Sequence, residues 1–435
     1  MIILFSVLVI LAIVVSVAIS YKTKYNIGIF AISFAYLIGC FGLGLSPKNV
    51  INMWPTSTVF VILSVSLFYN FALINGTLEK VARYILYIFK KPSLLPFALW
   101  FATVIIAALG AGFFTAIAFM APIGLMICKE AKFNKMVGAV AIVTGASSGA
   151  TFVTSGTGVV CRQLMENQGI DNNIALTYTL VICLVSLSFS LIAMLAFYFK
   201  NRHDFDDANS KVFEQPESLD KKQKLNLALM LLMLAVVLVF PLLHLAFPGI
   251  KAFAVISKKL DVGLVATVFA VAALLLKLAP QKKVLDEVPW STIMMVAGVG
   301  MLIGVAIEAG TIKLLAVWIS SSVPVWLIPI TITVVAAFMS FFSSTLGVVC
   351  PALFPLVSSL AEATGINPMV LFACILVGAQ SSSISPFSAG GSLMLGACED
   401  EGERATLFPK LIFQAIPTCI ASAVVANVVF AILLW

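Results

Sequence analysis

GASSGATFVTSG, residues 145–156, is a polar, glycine-containing run inside an otherwise apolar segment, and GAQSSSISPFSAGG at 378–391 echoes it. A shift of 233 residues superposes the two without a gap from Pro122 to Gly158, with ten identities in thirty-seven columns. Pro122 meets Pro355, Asn134 meets Asn367, Met136 meets Met369, Val137 meets Val370 and Ile142 meets Ile375. Gly145 meets Gly378, Ala146 meets Ala379, Ser148 meets Ser381, Ser155 meets Ser388 and Gly158 meets Gly391. Apolar composition alone gives roughly three or four matches, so the chain holds an internal repeat. A polar break at matching places in the two halves of a membrane protein points to a transporter's binding site.

The 435 residues are 61% hydrophobic and 10% charged, against about 45–50% and about 25% for a soluble domain. This is the composition of an all-α polytopic membrane protein embedded in a lipid bilayer, with length for about ten spans of about twenty residues. The first apolar run, 2–20, lacks a basic leader and a small-residue cleavage site, and reads as a retained span. The net charge of +7 sits in short loops beside the spans and is no nucleic-acid signal. The eight cysteines are scattered without C-x-x-C spacing, which favours buried free thiols over disulfides or a zinc site. No metal or cofactor is expected, apart from Na+ as a coupling ion.

Spans are expected at 2–20, 26–45, 56–75, 136–165, 174–199, 225–247, 260–280, 290–309, 368–397 and 407–434. The apolar stretches 92–128 and 324–360 remain. Their midpoints, LGAGFF at 109–114 and FFSSTLG at 341–347, carry small residues and no charge. A connector at the water surface is normally more polar, so both stretches read as re-entrant helical hairpins with tips inside the membrane. Such backbone is tolerated where protein buries it or a wet cavity adjoins it. Short amphipathic arms precede both hairpins, at 77–91 after Asn75-Gly76-Thr77 and at 311–322 after Ala309-Gly310-Thr311. Trp54 upstream of one matches Trp290 upstream of the other. Residues 1–199 thus form a first repeat, 200–224 a charged and mobile linker, and 225–435 a second repeat. Each repeat has five spans, including a closing span, with an arm, a hairpin (92–128 or 324–360) and a broken span (136–165 or 368–397). An odd number of crossings per half makes this an inverted repeat. With the amino terminus outside, twenty of the 26 basic residues fall inside, as the positive-inside rule requires. Both termini are then external, and the linker is cytoplasmic.

Two motifs invite other readings. Val143 to Gly149 resembles the nucleotide-binding turn of dehydrogenases, but Thr151 stands where that turn has glycine and the flanks are spans. Gly145-Ala-Ser147-Ser-Gly149 also fits the nucleophile elbow. An intramembrane serine protease would pair Ser147 or Ser148 with His244; the other histidine, His203, lies in the linker. A second copy of the motif has no use in an enzyme. Arg162 is assigned to the outer side, so the hairpins and broken spans are taken to hold no lysine or arginine. An anion there must be bound by helix N-termini, backbone N–H groups and hydroxyls. A cation must be bound by carbonyl and hydroxyl oxygens, which suit hard ions.

Asn26-Ile-Gly28, Asn75-Gly76-Thr77, Gly110-Ala-Gly112, Pro122-Ile123, Gly145-Ala146-Ser147, Gly156 and Ser385-Pro386-Phe387-Ser388 resemble the malonate/dicarboxylate carrier (MatC-type) family of the ion-transporter superfamily. The resemblance is strongest over 26–160. It implies a non-enzymatic secondary carrier of small dicarboxylates in the cell (inner) membrane, coupled to Na+ or H+, with elevator-type movement and usually a homodimer. Arsenite export or Na+/H+ exchange also occurs on this architecture. In this frame the candidate substrate ligands are Gly112, Thr115, Ser147, Ser148, Thr154, Ser344, Thr345, Ser381, Ser385, Pro386 and Ser388. The candidate cation ligands are Gly110, Gly149, Thr151, Ser155, Ser343, Ser382 and Ser383. In the first broken span Phe152-Val153 replaces the Ser-Pro of the family, and the Ser-Asn-Thr tip motif of the related sodium/dicarboxylate symporters is absent, with Gly110-Ala-Gly112 and Ser343-Ser344-Thr345 at the comparable tips.

Overall fold

The computed structural model describes residues 2–23, 25–88, 92–130, 133–201, 216–247, 250–341, 343–398 and 401–434, and contains no β-strand among them. The first half runs through α1 (Ile2–Thr23), α2 (Ile27–Tyr36), α3 (Pro47–Asn52), α4 (Thr56–Ile74) and α5 (Thr77–Ile88). It continues with α6 (Leu95–Ile106), α7 (Gly112–Glu130), α8 (Lys135–Ala150), α9 (Gly156–Glu166) and α10 (Asn172–Lys200). The second half begins with α11 (Lys221–Ala246), α12 (Lys251–Lys259), α13 (Val262–Leu275), α14 (Gln281–Asp286), α15 (Trp290–Glu308) and α16 (Thr311–Ser322). It ends with α17 (Ile328–Phe341), α18 (Cys350–Leu353), α19 (Leu356–Thr364), α20 (Pro368–Ser381), α21 (Ala389–Gly396), α22 (Glu401–Lys410) and α23 (Ile416–Leu434). The segment resembling a nucleotide-binding turn lies wholly within α8, so it has neither the strand nor the turn that motif needs. Of the linker, 202–215 lie outside the described residues, with His203 among them; the side chain of His244 is likewise not described.

The long apolar stretch 95–130 turns back on itself. Drawn straight, Leu99 and Gly124 would be about 37 Å apart along a helix. Instead, a methyl group on Gly124 would lie 3.5 Å from a Leu99 methyl. The reversal falls at Ala107–Ala111, where Gly110 takes φ +101° and Gly112 takes φ +69°, a region side chains disfavour. The second stretch bends by 117° between α17 and the turn Thr345–Val349. The first stretch therefore folds back as a hairpin, and the second bends sharply at the tip expected from the sequence.

Two packing units emerge, and they cut across the sequence repeats. The first comprises 1–59, 289–383 and 423–435; the second comprises 60–288 and 384–422. In the first unit α2 lies backbone to backbone on α15. A methyl group on Gly28 would sit 2.0 Å from the Met294 carbonyl oxygen, and one on Gly298 would sit 2.1 Å from that of Gly28. Asn26 caps α2 by accepting from Gly28 N–H and donates to the Ser291 carbonyl and hydroxyl of α15. The Asn26-Ile-Gly28 motif is thus a helix-packing device. In the second unit, Asn75 accepts from the Thr77 N–H and hydroxyl, and Gly76 at φ +75° turns the chain 67° from α4 into α5. Gly310 repeats that φ of +75° before α16 in the first unit. The described end of the linker is docked on α5: Lys80 donates to Ser218 O and Tyr84 to Glu217 O. Asp220 and Gln223 close a capping box on α11.

The broken spans are cores of their units. Every residue of α8 from Met136 to Ala150, and every residue of α20 from Met369 to Ser381, is buried. α8 is held between α6, α7 and α10, and α20 lies along α17. The repeat persists in these contacts. Gly145 abuts the Trp100 carbonyl and Gly378 abuts the Thr333 carbonyl, both pairs offset by 233. Asn134 caps α8 through Met136 N–H, as Asn367 caps α20 through Met369 N–H.

Candidate functional site

Hydroxyls buried in an apolar helix need partners, and in α8 they take the helix's own carbonyls. Thr144 donates to Val140 O, Ser147 to Val143 O and Thr151 to Ser147 O, at 2.7, 2.9 and 2.9 Å. Ser148 turns the other way, donating to Ser186 O on α10 at 2.8 Å and accepting from the Ser186 hydroxyl at 3.1 Å. That pairing fastens α8 to α10. Gly149 lies against α6, where a methyl group would meet the Val104 carbonyl oxygen at 2.2 Å.

Tip and break of the first half converge within the second unit. Ser155 donates to Ala107 O, at the start of the hairpin turn, at 2.6 Å. Tyr69 of α4 lays its ring on Gly110, where a methyl group would be 2.1 Å from the ring. Thr115 stands half-buried in the first turn of α7, and Gly112 and Gly156 face open space. α9 starts at Gly156 from an extended Ser155 whose side chain makes no cap. The leading N–H groups of a helix have no acceptor within it, and here they begin beside open space with the positive end of the helix dipole. Tyr69 was not legible as a site residue. Its one advance sign was a Tyr69-Asn70 pair in an apolar run, and Asn70 is occupied elsewhere, donating to Val284 O at 3.0 Å.

The second-half candidates divide between the units. In the first unit, Ser344 caps the tip turn by accepting from Gly347 N–H, Ser343 donates to Met339 O, and Thr345 lies 3.1 Å from the Ser340 hydroxyl. Met295 of α15 covers Gly347. Ser381 donates to Gly378 O and Ser383 to Gln380 O. Ser382 is fully buried and its hydroxyl has no partner among the described residues. In the second unit, Ser385 accepts from Phe387 N–H, Ser388 donates to Ser385 O, and the Pro386 carbonyl accepts from Ser392. Ser388 precedes α21 with φ −93° and ψ 164°, against −94° and 162° for Ser155 before α9. Gly158 abuts the Thr151 and Phe152 carbonyls, and Gly391 those of Ile384 and Ser385. The two interruptions share this local backbone, while their serines differ: Ser155 bonds the hairpin at Ala107 O and Ser388 bonds its own turn at Ser385 O.

Arg162 corrects the sequence reading. It lies on α9 inside the broken span and is buried, donating through Nε to Glu166 and through Nη2 to Asn172. Glu166 neutralises it within the same helix. Burial raises the Glu166 carboxyl above its ordinary pKa, and Arg162 opposes that shift. Elsewhere in the second unit, Lys135 pairs with Glu403, and Arg404 donates to Leu395 O and Cys398 O at the end of α21. A cation at a helix C-terminus complements the dipole.

Residues 3–150 match the family described as dicarboxylate carrier protein MatC N-terminus, and residues 252–435 match the citrate transporter family. No curated protein sequence matches the chain. Among solved structures it is similar to the YdaH transporter of Alcanivorax borkumensis, with a TM-score of 0.58 and 18% identity over 89% of this chain and 87% of that one. At that identity the likeness speaks for the fold.

Proposed function

We propose that this chain, whose two parts match the dicarboxylate carrier MatC N-terminus and the citrate transporter families, is a multi-pass membrane carrier, and not an enzyme, that moves small dicarboxylates such as malonate, malate or succinate. The observation behind this reading is the pair of interruptions with matching backbone, each opening a helix that has no side-chain cap. Helix N-termini bind carboxylates through free N–H groups and the dipole, which suits a substrate with a carboxylate at each end. Citrate is the competing substrate, since the second half matches citrate transporters. Transport is proposed to be coupled to Na+ in preference to H+, by elevator-type movement of an inverted repeat, as a homodimer in the inner membrane.

The test is uptake of labelled malonate, malate, succinate and citrate into proteoliposomes. Uptake of at least one dicarboxylate above citrate is expected, and no dicarboxylate uptake under any ion gradient defeats the reading. A companion variant is Ser382→Ala. An unpartnered buried hydroxyl costs about 1–3 kcal/mol, so its removal leaves thermal stability unchanged or raised. If Ser382 serves transport, uptake nonetheless falls by about tenfold. Wild-type uptake in that variant removes Ser382 from the site.

Orientation is tested separately, by cysteine labelling from each side after replacement of the native thiols. The linker 200–224 is expected to label from the cytoplasm and both termini from outside. Labelling of the linker from outside overturns the orientation.

A further inference from the structure

Arg162 stands in the wall of a small cavity within the second unit. The walls come from α4 (Val61), α9 (Arg162 and Glu166), α10 (Asn172) and the start of α13 (Asp261 and Val262), and they leave room for about one water molecule. Arg162 is 5% exposed, and its guanidinium is engaged twice, through Nε with Glu166 Oε1 and through Nη2 with Asn172 Oδ1. The second carboxyl oxygen of Glu166 has no partner among the described residues. Asp261 caps α13 by accepting from Leu264 N–H at 2.8 Å, and no ion pair joins it to Arg162 among the described residues. Packing holds that cap in place, since a methyl group on Gly263 would lie 3.1 Å from Val61 and 3.2 Å from Asp261 Oδ1. The cavity is therefore walled by two carboxylates and one guanidinium. Asp171, exposed at the start of α10, adds a further negative charge nearby. α4 presents Val61 and α10 the Asn172 amide, neither of them charged, and Lys259, two residues before Asp261, is exposed. No three acidic, cysteine or histidine side chains converge to hold a metal ion among the described residues, and the guanidinium would repel one. A proton needs only one free oxygen.

We infer that this cavity binds a proton, on the free oxygen of Glu166, and that the proton decides how firmly α9 is held against the start of α13. With both carboxylates ionised, one negative charge is uncompensated, and Glu166 and Asp261 repel each other across the cavity. With Glu166 protonated, one guanidinium faces one carboxylate, and Oε1 still accepts from Arg162. Burial raises the Glu166 carboxyl above its ordinary pKa, Arg162 opposes that, and Asp261 and Asp171 add to it. A carboxyl raised in this way binds more protons folded than unfolded. It therefore adds stability as pH falls and loses it as pH rises through the folded-state titration. The inference does not depend on which solute the chain carries.

The experiment follows hydrogen exchange of the full-length protein in detergent, without solute, from about pH 8 down to about pH 5, above the range of an ordinary carboxylate. Rates are corrected for the intrinsic pH dependence of exchange. Protection of 157–166 and 262–268 is expected to rise by about two- to fivefold on acidification, the range of a partly exposed charge pair, while α20 stays constant as the control. Glu166→Gln keeps an acceptor for Arg162 and is expected to hold the higher protection at every pH. Asp261→Asn keeps the cap but drops the charge, and is expected to move the midpoint to lower pH. Wild-type protection that does not change with pH overturns the inference. So does a Glu166→Gln variant that still titrates like wild type, or a midpoint unmoved by Asp261→Asn. Should Glu166→Gln fail to fold, the wild-type titration and the Asp261→Asn midpoint still decide.

Discussion

Gly149→Val is expected to abolish transport and to lower the thermal stability of the protein by several degrees. The reason is backbone contact. A methyl group at Gly149 would lie 2.2 Å from the Val104 carbonyl oxygen and 2.9 Å from the Ala107 methyl. Neither atom sits at the end of a flexible side chain, so neither can swing aside. One turn earlier, Gly145 already brings α8 to within 2.9 Å of the Trp100 carbonyl by the same measure. The two helices must separate to admit the valine, and Ser155 then loses its grip on Ala107 O. Overpacking of this kind costs about 1–3 kcal/mol, and here it is spent at the junction of tip and break. Gly396→Ala is the control, because Gly396 has nothing within 4 Å. Melting in detergent and uptake per folded molecule are the measurements. Gly149→Val protein that melts and transports like wild type would show that α6 and α8 are not held as described.

That contact explains why the hairpins and breaks were readable from the sequence. Gly145 and Gly378 recur at an offset of 233 because each meets a carbonyl of the preceding hairpin limb, Trp100 or Thr333. Likewise Asn134 and Asn367 recur as caps. These roles depend on residue type at one position, so they survive as identities. The break itself does not. Phe152-Val153 stands where the second half has Ser385-Pro386, yet the dihedrals of Ser155 and Ser388 agree within a few degrees. What the two breaks share is Gly158 or Gly391 folded onto the carbonyls behind it, and the proline is one way among others to reach that turn.

The site was less legible than the fold, for two physical reasons. A serine in a string does not declare its direction. Ser147 and Ser148 are neighbours, yet one bonds its own helix and the other bonds α10. Contacts between distant segments leave no periodic trace either. Tyr69 and Gly110 are far apart in the chain, and nothing in either run predicts that a ring lies on that glycine. Arg162 was misplaced for a related reason: a charge near a span end looks like a loop residue until its partners, Glu166 and Asn172, are seen to bury it.

Uptake is expected to fall to background when sodium is replaced by choline or potassium at fixed pH. A dicarboxylate brings two negative charges, while the candidate ligands of both halves are hydroxyls and backbone groups without net charge. Arg162 is paired with Glu166 and lies six residues, about 9 Å, along α9 from Gly156. The carboxyl of Glu166 closes an 11-residue helix, about 16 Å from the N-terminus at the usual rise, too far to pass a proton to a substrate bound there. A proton carrier usually places its titratable group in the path itself. Hard cations held by carbonyl and hydroxyl oxygens meet the requirement instead. A monovalent cation about 4 Å from a carboxylate is worth about 4 kcal/mol at an effective dielectric constant of about 20, or nearly three decades in affinity for each such pair. Loss of sodium should therefore raise KM beyond any accessible substrate concentration. A proton can also travel on the substrate carboxylate, which needs no acid from the protein. Full uptake without sodium, stimulated by an inward proton gradient, would establish that route and reject sodium coupling, while leaving the hairpins and broken helices as described.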